Sequence, residues 1–428
     1  MNMRFRYAVQ DDLDSILELY RECIGTEGCT WDEEYPDRAI CQRDITEGRL
    51  FVMEDEGIVS AISFECSDDL NAMPVWHGNN RTAVCMSRLA VRGNYRNQGI
   101  GRRMILRTME ELKEKGYKSV RYLVSPDNKR ALSSYRCLQF DKVGEVDYAG
   151  VHWDAYEKSL YQTEQLITGK YSYGIWRRFI EAVEKYRLIR DGDRIAVCIS
   201  GGKDSMLLAK LMQMVERNGM YNISVEYLMM NPGYKPEDMK RLLLTAELLG
   251  IELKVFDTDV FADTDSINGN PCFFCARMRR GYLYRKAQEL GCNKIALGHH
   301  YNDVIETILM GMLYGSQVQT MLPRLESDNV EGMELIRPMY LVREQDIREW
   351  SMDTGYSYVK CACGVRNDGE QEDTTRLKIK NLIRDLAKDN PAVEANIFGS
   401  VMNVDVNKIV SYKINGKTYS VLDNEQTD

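Results

Sequence analysis

Twice along the chain an apolar, strand-like run breaks into a glycine-bearing turn and resumes as a helix-like run: once in "TAVCMSRLAVRGNYRNQGIGRRMI" and once in "RIAVCISGGKDSMLL". Each turn sets backbone amides at a helix start, where unpaired N–H groups and the helix dipole attract anions. Strand, turn and helix in that order build α/β folds. At 428 residues the chain is too long for one core and long enough for two, so each turn is expected to belong to a unit of its own.

In the first half, Asp11 and Asp12 suit a helix start, and Leu13, Ile16, Leu17, Tyr20 and Ile24 follow at helical spacing. "LFVMEDEGIVSAISFE" reads as two strands joined at Glu56-Gly57, "TAVCMSRLAV" as a third, and Met104, Ile105, Met109 and Leu112 as one helix face. In the second half a helix up to about Tyr186 precedes the strand "RIAVCIS", and Leu207, Leu208, Leu211 and Met214 mark the helix after the turn. "ISVEYLMM", "ELKVF" and "KIALG" are short apolar runs separated by helical stretches, the layout of a parallel sheet covered on both faces. These patterns divide the chain into a domain over 1–160, a linker over 161–172, a domain over 173–405 and a tail over 406–428. In the tail, Asn415-Gly416 between alternating residues signals a β-hairpin.

Charge and cysteine content narrow the function classes. The start, "MNMRFRYAVQDDLD", reaches acidic residues before any apolar run forms, and no stretch has the length of a membrane span. The expected compartment is the cytoplasm, with no membrane partner. In that reducing setting twelve scattered cysteines serve as buried thiols or metal ligands rather than as a disulfide framework. A net charge of −9 gives no general attraction to nucleic acid, so RNA would have to meet a local basic patch. Arg277, Arg279, Arg280, Arg285 and Lys286 supply one candidate, or else a solvated helix face.

The turn from Arg96 to Gly101, "RNQGIG", has the form of a phosphate cradle, although a tight strand-to-helix turn with no ligand has the same spacing. Its surroundings, "SRLAVRGNYRNQGIGRRMI", and the later "NKRALSSYRCLQF" resemble GNAT N-acetyltransferases over roughly residues 3 to 160. The resemblance implies an N-terminal mixed sheet with flanking helices and acetyl-CoA as cofactor. It implies pyrophosphate at Gln98, Gly99 and Gly101, Asn128 beside the pantetheine arm, and Tyr135 as the acid that protonates the departing thiolate. By its spacing alone Tyr135 is equally a core tyrosine. Gln139 stands before Phe140 where that family usually has glycine. Glu65 and other acids compete as the base, and the acceptor is unreadable.

In "SGGKDS" the glycines let the backbone approach a phosphate, Lys203 offers a point charge, Ser200 and Ser205 offer hydroxyls, and Asp204 suits Mg2+. The four-residue interval of a Walker A loop is missing. The segment resembles the PP-loop of ATP pyrophosphatases, which bind ATP, transfer AMP to a substrate oxygen and release pyrophosphate. That resemblance implies a C-terminal doubly wound parallel sheet with ATP at Ser200, Gly201, Gly202, Lys203, Asp204 and Ser205. Adenylation turns a carbonyl or amide oxygen into a leaving group, which a nucleophile then replaces.

Cys272 and Cys275 form a CxxC pair, and "KCACG" follows with Cys361 and Cys363. Such thiols suit an iron-sulfur centre or a Cys₄ zinc site, which spacing alone does not separate. From about Lys170 to Val404 the chain resembles the tRNA 2-thiocytidine synthetase family through "DGDRIAVCISGGKDS", "CFFCARMRRGYLYRKAQELGCNKIALGHH" and "IRPMYLVREQDIREW". The resemblance implies a [4Fe-4S] cluster on Cys272, Cys275 and Cys361, with Cys363 as alternate third ligand, and an open iron that carries sulfide to an adenylated cytidine. It also implies His299 and His300 near the nucleotide, although a histidine pair at a strand end is also an ordinary structural feature, and Asp303 in the chemistry, with Asn302 standing where the family has a first aspartate. The expected function is ATP- and Mg2+-dependent thiolation of tRNA or a related thionucleoside, with a sulfur donor as partner, fused to an acetyltransferase. Removal of sulfur from thiolated compounds and a zinc-stabilised nucleotide-binding module without turnover are the alternatives. Whether the chain forms a homodimer is left open.

Overall fold

The first glycine turn follows the fourth strand of a seven-stranded mixed sheet, and the second follows the first strand of another sheet. The computed structural model describes residues 3–231, 233–257, 281–327, 330–359, 375–414 and 416–420. The chain divides into two compact units, Met1–Gln165 and Leu166–Asp428.

The first unit runs β1 (Arg4–Tyr7), α1 (Leu13–Arg21), α2 (Arg38–Thr46), β2 (Leu50–Glu54), β3 (Ile58–Glu65), the short α3 (Asp68–Asn71) and β4 (Ala83–Val91). It continues with α4 (Ile100–Glu114), β5 (Ser119–Val124), α5 (Lys129–Cys137), β6 (Asp141–Tyr148) and β7 (Val151–Ser159). The spatial order is β1-β2-β3-β4-β5-β7-β6, antiparallel except where β4 meets β5. The apolar stripe of α1 packs as its spacing demands, with Leu13, Ile16, Leu17 and Tyr20 buried against Leu50, Val52 and Ala61. Ile24 lies beyond the helix, which ends at Arg21 because the Thr26 hydroxyl and backbone fold back onto the Cys23 carbonyl. β4 and β5 pair only over Ala83–Cys85 and Ser119–Arg121, so the rest of β4 runs on without β5 beside it.

The second unit begins within α6 (Gln162–Thr168) and passes through a π-helical turn, Ser172–Arg177, into α7 (Arg178–Lys185). Then come β8 (Arg194–Cys198), α8 (Lys203–Arg217), β9 (Ser224–Asn231), α9 (Pro236–Leu248) and β10 (Leu253–Asp257). Residues 281–289 form α10. They are followed by β11 (Lys294–Ala296), α11 (Tyr301–Gly315), β12 (Arg324–Glu326), β13 (Glu334–Ile336), α12 (Glu344–Asp353), α13 (Thr375–Asp389) and α14 (Val393–Ser400). Among the described residues the sheet order is β10-β9-β8-β11-β13-β12, with every neighbour parallel except the edge strand β12. Parallel strands buried on both faces read as continuous apolar runs, which is why "RIAVC" and "KIA" show no alternation. Helix α8 is buried over the whole span from Ser205 to Val215, as an almost wholly apolar helix must be. β14 (Ser411–Ile414) and β15 (Lys417–Ser420) form the terminal hairpin, with Tyr412 and Tyr419 stacked across it.

The described cysteines are free thiols. Burial pushes Cys85 and Cys198 up to about 12, so these two serve the core and are inert. Among the described residues no helix is long and apolar enough to cross a membrane.

Candidate active sites

Strand β8 is central, with β9 and β11 on either side, and its carboxyl end delivers the chain into the second glycine turn. Gly201 has φ +81°, and a Cβ there would stand 2.3 Å from Leu242 Cδ1 of α9, so both the turn and the packing require glycine. Gly202 caps α8, which leaves the N–H groups of Lys203, Asp204 and Ser205 without partners inside the helix. The serines hold the turn. Ser205 Oγ accepts the Ser200 N–H at 3.1 Å and donates to the Gly202 carbonyl at 3.0 Å, while the Tyr234 hydroxyl donates to the Ser200 carbonyl at 2.6 Å. The result is a ring of backbone donors facing the carboxyl ends of parallel strands, the place where open α/β sheets receive ligands.

Charged side chains converge on this rim. Lys203 Nζ lies 2.9 Å from Asp204 Oδ1 and 3.9 Å from Glu344 Oε1 on α12. Lys380 of α13 donates to Glu344 at 2.5 Å, and Arg376 reaches Asp303 at 2.6 Å and Glu306 at 2.7 Å. The His300 ring stands between two carboxylates, its Nε2 3.8 Å from Asp204 and 3.5 Å from Asp303, and its buried Nδ1 has no hydrogen-bond partner among the described residues. Burial raises Asp303, but His300, Arg376 and the His300 N–H bonded to it at 3.0 Å outweigh that and hold it below the usual carboxylate range. Burial likewise opposes the ionisation of Glu344, and Lys380 overcomes it.

The six residues Ser200 to Ser205 and Asp303 therefore meet at one rim. His299 also lies within electrostatic reach of Asp303. Its Nδ1 accepts from Arg337 Nε at 3.3 Å, and burial pushes it down to about 4, so the ring is neutral. Asn302 Oδ1 accepts the Glu344 N–H at 3.0 Å at the start of α12, so the residue in place of the first aspartate ties two helices together. Sequence reasoning passed over Gly298, Glu344, Arg376 and Lys380. A Cβ on Gly298 would come within 3.2 Å of the Asp204 and Ser205 backbone, and the glycine before the histidine pair was its visible signal. Glu344 lies inside the quoted "VREQD", whereas isolated Arg376 and Lys380 on a basic helix give no local sign. Cys272, Cys275, Cys361 and Cys363 lie outside the described residues, as do Arg277, Arg279 and Arg280. Of the other two basic residues, Arg285 stacks on Tyr282 and Lys286 pairs with Glu289.

In the first unit Gly99, at φ +81°, caps α4 and leaves the N–H groups of Ile100, Gly101 and Arg102 free of intrahelical partners. Gln98 donates its side-chain amide to the Asn94 carbonyl at 2.8 Å, which braces the turn. Asn128 accepts the Ala131 N–H at 3.0 Å and caps α5. Tyr135, 5% exposed, stacks on Tyr122 with ring centroids 4.4 Å apart and lies against Phe140 and Tyr156. Burial drives its phenol well above the usual range, so it keeps its proton.

The fold and these two helix-start cradles define an α/β enzyme of two parts. Residues 175–368 match the PP-loop domain, and residues 13–140 match the acetyltransferase (GNAT) family. A tRNA-cytidine(32) 2-sulfurtransferase of Coxiella burnetii is 35% identical over 239 residues, 55% of this chain and 91% of that protein. One from Vibrio cholerae is 34% identical over 269 residues, 61% of this chain and 83% of its own length. The chain belongs to the tRNA-cytidine(32) 2-sulfurtransferase family, with a GNAT domain joined to it. Among solved structures, the U34-tRNA thiolase NcsA from Methanococcus maripaludis, with its [4Fe-4S] cluster, is 20% identical at a TM-score of 0.43. It covers 54% of this chain and 79% of its own. A phosphinothricin acetyltransferase from Sinorhizobium meliloti in complex with AcCoA is 20% identical at 0.32, covering 37% of this chain and 89% of its own.

Proposed function

We propose that the second unit thiolates a cytidine of tRNA at C2 in an ATP-dependent reaction, and that the first unit acetylates an amine from acetyl-CoA. The observation that carries the first part is the Gly201 turn with its unpaired α8 amides and Lys203, set in a chain 35% identical to a tRNA-cytidine(32) 2-sulfurtransferase. The backbone N–H groups of residues 203 to 205 and the Lys203 ammonium orient the phosphates of ATP. Mg2+ keeps most of its waters and is held by one or two carboxylates plus substrate phosphates, a demand that Asp204 meets at the rim of the turn. Lys203 then exchanges its bond to Asp204 for one to phosphate. His300, between Asp204 and Asp303, offers an unpartnered ring nitrogen within the same rim. His300 and Arg376 together keep Asp303 ionised against its burial.

Cys272, Cys275 and Cys361, or Cys363 in place of the last, are the thiolates that would hold a [4Fe-4S] cluster, which when bound supplies an iron that carries sulfide from an external donor. The cytoplasm, where tRNA and a reducing environment coincide, is the setting this chemistry needs. For the first unit, the free amides of residues 100 to 102 behind Gly99 are the cradle for pyrophosphate, and protonated Tyr135 is the acid.

Anaerobic purification with iron, sulfide and zinc analysis, followed by incubation with ATP, a sulfide source and unmodified tRNA, tests the reading. The expected result is an iron-loaded protein and 2-thiocytidine in the digested nucleosides, lost in Cys272→Ser. Loss of sulfur from a thiolated nucleoside instead would establish a desulfidase. For the other half, acetyl-CoA binds by calorimetry and Tyr135→Phe lowers kcat with binding retained; no binding to the wild type would exclude an acetyltransferase.

A further inference from the structure

Arg337, which follows β13, is buried beside the nucleotide rim. Its backbone N–H donates to the Pro323 carbonyl at 2.9 Å, its carbonyl accepts the Tyr340 N–H at 3.1 Å, and its Nη1 donates to the Leu322 carbonyl. The Tyr340 hydroxyl donates to the Met321 carbonyl at 2.8 Å and closes the frame. Held in this way, Arg337 turns Nε toward His299 and donates to the ring's Nδ1 at 3.3 Å. A guanidinium carries five N–H donors and no acceptor, and it keeps its proton in proteins. Nδ1 can therefore only accept. An imidazolium, with N–H on both nitrogens, would set donor against donor, so the ring is neutral and its single proton sits on Nε2. The surrounding charges agree: burial pushes the ring down to about 4 against the pull of Asp303 on α11, with Arg337, Arg376 of α13 and His300 acting in the same direction as burial.

The backbone sets this ring beside the phosphate cradle. β8 and β11 are parallel neighbours with Val197 opposite Ala296, so three residues further on His299 leaves the sheet level with Ser200. Gly298 packs closely on the first turn of α8, where a Cβ would stand 3.2 Å from the Asp204 carbonyl carbon and from the Ser205 nitrogen. That nitrogen is one of the amides without an intrahelical partner behind Gly202. His299 is partly exposed, its Nδ1 edge is taken up by Arg337, and among the described residues its Nε2 has no hydrogen-bond partner. The proton on Nε2 is thus available to a ligand. His300, whose Nδ1 has no partner among the described residues, is not locked in this way.

We propose that His299 is a fixed neutral hydrogen-bond donor to a phosphate oxygen of the bound nucleotide, and that Arg337 is the positioning residue that sets its tautomer. The inference rests on the ATP-dependent thiolation reading above. As the substrate oxygen forms its bond to the α-phosphorus, the bond to the bridging oxygen breaks and pyrophosphate leaves with the bonding pair. Charge shifts over the phosphate oxygens during this step, and a donor already aimed at one of them needs no reorganisation when the charge moves. His299 keeps its proton throughout. It is neither acid nor base, so its contribution stays constant across the range where an ordinary histidine changes charge.

The test uses the full chain with its four histidines labelled with nitrogen-15, and His299→Gln identifies the ring in question. Between about pH 8 and 5.5 the wild-type ring is expected to show a protonated Nε2 and an unprotonated Nδ1, with neither signal moving. Adding α,β-methylene ATP with Mg2+ should shift Nε2 more than Nδ1. Arg337→Met should let the Nδ1–H tautomer appear, and Arg337→Lys, which restores a cationic donor, should suppress it. Glutamine places an amide N–H near the Nε2 position and phenylalanine places none. In pyrophosphate release driven by ATP and unmodified tRNA, His299→Gln should therefore stay within about 10-fold of wild type, while His299→Phe should lose about 100-fold or more in kcat. A protonated Nδ1 in the wild type, nucleotide binding that leaves both ring nitrogens unmoved, or full pyrophosphate release by His299→Phe would overturn the inference. Pyrophosphate release without 2-thiocytidine would leave it standing and remove the thiolation reading. A wild type that binds no nucleotide would remove both.

Discussion

His299 shows how one side chain's surroundings set its chemistry. In the fold burial holds it down to about 4, whereas in the unfolded chain a histidine titrates near 6.5. Between those values the unfolded chain binds more protons, so the stability of the second unit is full above about pH 6.5 and falls as pH drops toward 4. One such group gives a slope approaching 1.4 kcal/mol per pH unit, or about that figure at most. Urea unfolding at pH 7, 6 and 5 should show wild type losing about 1 kcal/mol per unit more than His299→Asn; parallel curves would refute the assignment. Gln139 makes a matching case in the first unit. It holds φ +58° just before Phe140, where the GNAT pattern has glycine, and its carbonyl accepts from Lys158 at 3.4 Å. Gln139→Gly relieves the backbone and should stabilise that unit by about 1 kcal/mol, read as a higher melting temperature. The sequence flagged the missing glycine, but only the backbone dihedral shows that glutamine accepts the strain.

At the scale of elements, the start of α8 carries the greatest constraint. Gly201→Ala meets both a left-handed backbone and Leu242, so it should cost about 3 kcal/mol and weaken ATP binding together with stability. Retention of wild-type stability would mean that α9 moves aside freely. Asn302 joins α11 to the first turn of α12, so Asn302→Ala should cost about 1 kcal/mol, while Asn302→Asp keeps the acceptor oxygen and should cost little. Denaturant midpoints separate the two variants. The strands and helices themselves were largely legible, because parallel apolar runs and 3.6-residue stripes are local patterns. The end of α1 was not, since the Thr26 contact back to Cys23 overrides the apolar periodicity that continues to Ile24.

Across the whole molecule, the two cradles are built on cores of their own. Leu13, Ile16, Leu50 and Val52 belong to one, and Ile195, Val197, Leu207 and Trp350 to another. Lys203→Ala should therefore abolish ATP-dependent thiolation and leave the acetyl-CoA affinity of the same chain unchanged, as calorimetry and nucleoside analysis of one preparation would show. A loss of both would tie the sites together. The sequence by itself determined the two glycine turns and the strand and helix order around them. These follow from short-range rules of backbone conformation and apolar spacing. Tertiary structure alone decided that Ser200 to Ser205 and Asp303 share one rim with His300 between Asp204 and Asp303, that Glu344, Arg376 and Lys380 close it, and that Arg88 gathers Asp44, Glu65 and Tyr35. Those groups lie tens to hundreds of residues apart in the chain, and electrostatic contact depends on distance in space, which no local pattern encodes.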